Sequence, residues 1–68
     1  MQTMKEQVGT VAAGLGCRSQ DLEVVWRSLE SKPLPLTAKG MVYQVVTAMK
    51  GLDLNPDESQ IDRIASRL

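Results

Sequence analysis

The pattern of the chain predicts an all-α fold, a compact bundle of four short helices over about residues 2–15, 19–31, 37–50 and 55–68. Three observations carry that expectation. Apolar residues recur at intervals of three and four, no segment alternates as a half-buried strand would, and glycine or proline punctuates the ends of the first three periodic runs. No internal repeat or low-complexity tract interrupts the pattern, so residues 1–68 form one small helical domain.

In the first helix Met4, Val8, Val11, Ala12 and Leu15 fall on one stripe. Gly14 and Gly16 bracket its end, where glycine adopts the left-handed conformation without steric cost. Ser19 is placed to cap a second helix, with Asp21 and Glu23 at the positive end of its dipole. Leu22, Val25, Trp26 and Leu29 supply the buried stripe.

The segment SKPLPL, residues 31–36, breaks the periodicity because each proline removes a donor and pushes its predecessor out of helical conformation. Leu34 and Leu36 are expected to tuck against the core. The alternatives are a Pro-rich ligand for an aromatic groove, although PxxP spacing is missing, and a stiff hinge for exchanging helices between subunits.

Thr37 can cap the third helix, whose residues Met41, Val42, Val45, Val46, Met49 and Leu52 form the broadest apolar stripe in the chain. A stripe that wide needs more than one neighbour. Gly51 is expected to stop the helix, with Lys50 at its negative end. For the fourth helix, Asn55 reads as the cap, Pro56 as the first helical residue, and Asp57 and Glu58 as the favourable first turn. Ile61, Ile64, Ala65 and Leu68 would be buried, with Arg63 and Arg67 near the C-terminus.

Composition bounds what such a bundle can do. With 68 residues, 43% apolar and 24% charged, the chain suits neither disorder nor a membrane span. A domain this small buries only roughly 60% of the surface exposed by its unfolded chain, so its margin of stability is thin. Cys17 is the single cysteine and histidine is absent, which rules out an internal disulfide and any ordinary zinc or iron ligand set. Lys5 and Glu6 interrupt the N-terminal run, so no signal-peptide core is read there and the cytoplasm is the expected compartment.

The eight basic and eight acidic residues balance. They are unevenly spread, with Lys32, Lys39 and Lys50 unopposed between residues 32 and 50 and acids in excess on either side. Three lysines over that length describe a solvated face more readily than a phosphate-binding patch.

Nothing in the chain amounts to a catalytic constellation. Cys17 lacks a histidine base, and Asp21, Glu23, Asp57 and Glu58 stand at helix starts, where capping and the dipole account for them. Gly9, Gly14 and Gly16 lack the order of a phosphate-binding loop. Trp26 and Tyr43, the only aromatics, lie within helical runs rather than along a basic groove.

One spacing does carry a functional meaning. Ala12, Gly16 and Leu22 set a small residue four positions before a turn glycine and an aliphatic residue six positions after it, while Val11, Leu15, Cys17 and Val25 fill the positions between and beyond. Over about 20 residues the chain thus resembles the DNA-binding helix-turn-helix motif, in which the small residue and the glycine let two helices cross closely. The resemblance implies a recognition helix exposing Arg18, Ser19, Gln20, Glu23 and Arg27, with arginine and glutamine suited to reading bases. Asp21, Glu23 and Glu30 depart from that pattern by putting acids where phosphates would lie.

Two functions follow as expectations. The first is a small non-catalytic protein–protein interaction or regulatory module, homodimeric, without metal, cofactor or membrane contact. Its interface would be Met41, Val45, Met49, Ile61, Ile64 and Leu68, unless these form a purely intramolecular core. The second is a helix-turn-helix transcriptional regulator contacting DNA through Arg18, Ser19, Gln20 and Arg27.

Overall fold

A computed structural model describes residues 3–33 and 37–67. Four α-helices follow one another, α1 over Met4–Gly14, α2 over Leu22–Leu29, α3 over Ala38–Gly51 and α4 over Ile61–Arg67, and no strand occurs among the described residues. Short 3-10 turns at Ser19–Asp21 and Glu58–Gln60 lead into α2 and α4. Leu34, Leu36 and Leu68, expected in the core, lie outside the described residues.

Thr3 opens α1, its hydroxyl accepting from the Glu6 N–H at 3.2 Å. The helix closes by a pair of reversed hydrogen bonds. Gly16 N–H donates to Ala13 O at 3.0 Å and Cys17 N–H to Ala12 O at 2.9 Å, with Gly16 at φ +93°. That is the Schellman arrangement, in which the left-handed residue turns the chain back onto the orphan carbonyls of the last turn. Gly14 is the last helical residue rather than a breaker, and an added Cβ there would lie 3.0 Å from Ile64 Cδ1. A side chain there would require the tip of Ile64 to give by a few tenths of an ångström.

Three local expectations are corrected. Ser19 does not cap α2: Arg18 takes the extended cap conformation, and the chain enters the helix through a 3-10 turn with no side-chain cap. The Schellman closure ends at Cys17, so Arg18 is the next residue free to be extended. Gly51 does not stop α3 either. It is the last helical residue, and Asp53 adopts the left-handed conformation at φ +62° while Leu54 N–H reaches back to Met49 O at 2.8 Å. Aspartate is among the few side chains that tolerate this region.

The third correction concerns the start of α4. Asn55 and Pro56 are outside the helix, and Asp57 is the cap, accepting from the Ser59 N–H and hydroxyl. A tertiary bond overrides the local signal, because the Asp57 N–H donates to Leu15 O at 2.8 Å and thereby holds Asp57 extended. Thr37 does cap α3 as its position predicts, accepting from the Gly40 N–H at 2.9 Å.

The core lies where α1, α2 and α4 converge on α3. Val11, Ala12, Leu15, Val25, Val42 and Val45 are fully excluded from solvent, with Met49 beside them at 1%. No polar or charged side chain is buried among the described residues. Helix α3 needs several neighbours and has them, since α1, α2 and α4 all pack on it. Met41, Val45, Met49 and Ile61, the expected interface residues, are therefore consumed by the chain's own core. Ile64 is partly buried against it.

Candidate functional site

Helix α2 has two unlike sides. Val25 and Leu29 are buried, Leu22 and Trp26 pack partly against the core, and the residues at helical spacing on the other side, Gln20, Glu23, Val24 and Arg27, are exposed. Arg18 and Ser19, in the turn before the helix, are also exposed. All of the residues assigned to DNA reading in the sequence are thus accessible, but Arg18 lines the polar hollow beside Cys17 and Asp21 instead of joining Arg27 on the outer face.

Its electrostatics are set by Glu23. One carboxylate oxygen lies 3.0 Å from Lys5 Nζ on α1, and the other 3.6 Å from Arg27 Nε one turn along α2. The hydrogen bond from Lys5, then its charge, hold the Glu23 carboxyl below its ordinary range, with Arg27 adding to the effect. All three side chains are at least half exposed. The pairs therefore orient the cations more than they stabilise the fold, since water and salt screen exposed ion pairs. Val24, 47% exposed, is the large apolar residue of this face.

Two depressions flank α2. An apolar one of about 30 Å³ is lined by Met4, Val8, Trp26, Leu29, Met41 and Val45, with Glu30 and Gln44 at its rim. Gln44 Nε2 donates to Pro33 O at 3.1 Å nearby. A polar one of about 340 Å³ lies between the two left-handed turns and is lined by Cys17, Arg18, Asp21, Met49, Asp53 and Asn55, among others. Burial, reinforced by the charge of Asp21, pushes the Cys17 thiol up from its ordinary value, so it is a thiol and not a thiolate at neutral pH. Its Sγ–H points to Arg18 O at 3.5 Å.

Two members of the site do not figure among the candidate site residues of the sequence. Val24 had a signal, because the stripe of Leu22, Val25, Trp26 and Leu29 leaves it on the opposite side of the helix. Lys5 had none, since its ion pair joins residues far apart in the chain and depends on how α1 and α2 cross. No helix of the described residues is long and apolar enough to span a membrane. Comparison with protein-family models, with curated proteins and with solved structures returned no match.

Proposed function

We propose that the chain is a small non-catalytic interaction or regulatory module of the cytoplasm, and that the outer face of α2 is the surface it offers to a protein partner. The observation that supports this reading is the pairing of Glu23 with both Lys5 and Arg27 around an exposed Val24. Duplex DNA is held by cations free to displace counterions from phosphate. Here two such cations already face a carboxylate. A protein surface accommodates that arrangement, because interfaces combine a small apolar centre with arginine and complementary charge at the rim.

A photo-crosslinker placed at position 24 tests this in cells, with the same group at Ser66 on α4 as the comparison. A discrete protein adduct formed from position 24 and absent from position 66 supports the reading. Equal labelling from both positions, or adducts to nucleic acid, overturns it. Sedimentation at micromolar concentration decides whether the partner is a second copy, which would appear at roughly twice the 7.5 kDa chain mass.

A second reading, a helix-turn-helix regulator using the helix after Gly16, is favoured by one specific observation. Gly16 has the left-handed backbone the motif's turn needs, and Ala12 is wholly buried beneath it. On that reading duplex DNA perturbs the amide spectrum of Arg18, Ser19, Gln20 and Arg27 with strong salt dependence, and Arg18→Ala with Arg27→Ala abolishes the effect. No perturbation at low salt removes it.

A further inference from the structure

We propose that Glu23 is a specificity-determining residue that bars the outer face of α2 from nucleic acid. The inference rests on the interaction-module reading and names the residue that enforces it. Both oxygens of its carboxylate are engaged, one by Lys5 at 3.0 Å and one by Arg27 at 3.6 Å, so a single acid occupies two cations contributed by two helices. A phosphate approaching this face competes with the carboxylate for both cations and must tolerate its charge at close range. Arg18, exposed at the turn before α2, has no ion pair among the described residues and cannot by itself hold a duplex.

The position of Glu23 matters more than its charge. Glu30 is another exposed acid at the far end of α2, and no described cation pairs with it. Removing Glu30 changes the net charge as much as removing Glu23, yet releases neither Lys5 nor Arg27. The two substitutions therefore separate a device built at one site from a general effect of net charge. Neither residue supports the core, so both variants should keep the fold.

The experiment titrates a 20-base-pair duplex into the wild-type chain, Glu23→Gln, Glu23→Ala and Glu30→Gln at about 10 mM salt and upward, following anisotropy and amide dispersion. Freeing two cations should steepen the dependence of log affinity on log salt by roughly two, at close to one unit per neutralised phosphate. At the lowest salt this appears as an affinity at least tenfold above wild type in both Glu23 variants. Glu30→Gln should remain within about twofold of wild type, and adding Arg27→Ala to Glu23→Gln should reverse most of the gain.

Equal gains in Glu23→Gln and Glu30→Gln would overturn the proposal in favour of net charge. Folded Glu23 variants that bind no better than a non-binding wild type would overturn it while leaving the interaction-module reading intact. Wild-type binding as tight as that of Glu23→Gln would overturn both.

Discussion

At the scale of single residues, Gly16 and Cys17 stand side by side and answer different questions. Gly16 is held at φ +93°, where a Cβ costs roughly 1–2 kcal/mol. Nothing lies near that Cβ position, so the cost is conformational and not steric. Gly16→Ala should therefore lower the unfolding free energy by about that amount, measurable by urea denaturation, while leaving the folded amide spectrum largely unchanged. Cys17 makes the chemical prediction. Its raised ionisation means the unfolded chain loses its thiol proton first, so stability declines as pH climbs past 9.0, the ordinary value for the group. Iodoacetamide at about pH 8 should label the folded protein more slowly than the urea-unfolded one. Faster labelling of the folded form would point to an activated thiolate.

At the scale of elements, helix number and order were legible in the sequence because periodicity survives any detail of packing. Thr37 was legible as a cap for the same reason: nothing tertiary competes for it. Thr3 carries a readable signal too, with Glu6 three positions on and an apolar stripe beginning at Met4. The starts of α2 and α4 were not legible, since both are set by what happens to Leu15 and its neighbours. The closure at Cys17 delays α2, and the bond from Asp57 to Leu15 O delays α4. Asp57→Ala should consequently cost about 1 kcal/mol through the lost cap, whereas Asn55→Ala, the change that local pattern marks as severe, should cost less. Thermal melts of the two variants decide the order.

For the molecule as a whole, the decisive point is where the apolar stripe of α3 is spent. Width alone suggested a subunit interface, because a sequence shows how much surface needs covering without showing what covers it. Packing of α1, α2 and α4 onto α3 covers it within one chain except at Leu52, which follows the end of the helix and stays exposed. Val45, with 0% exposure, is the sharpest test. Val45→Ala should lower stability by roughly 1–3 kcal/mol as a cavity in a thin core, with a melting temperature that does not change with protein concentration. A melting temperature that rises with concentration would return this residue to an interface. The candidate site was only half legible at this scale. Gln20 and Arg27 fall on one side with Glu23 and Val24 by helical spacing, but the ion pair that gives the face its character joins α1 to α2.

The contact between the Asp57 amide and the Leu15 carbonyl reaches across most of the chain. The carbonyl it satisfies belongs to the turn that makes α1 and α2 look like a transferable cassette. Excised, the first 33 residues would present that oxygen to water and lose the ceiling that α3 lays over Val11, Ala12 and Val25. Grafted onto another scaffold, the pair would arrive without its keystone. What resembles a portable reading head is the lower half of an arch, and it stands only when the far end of the chain has come back to close it.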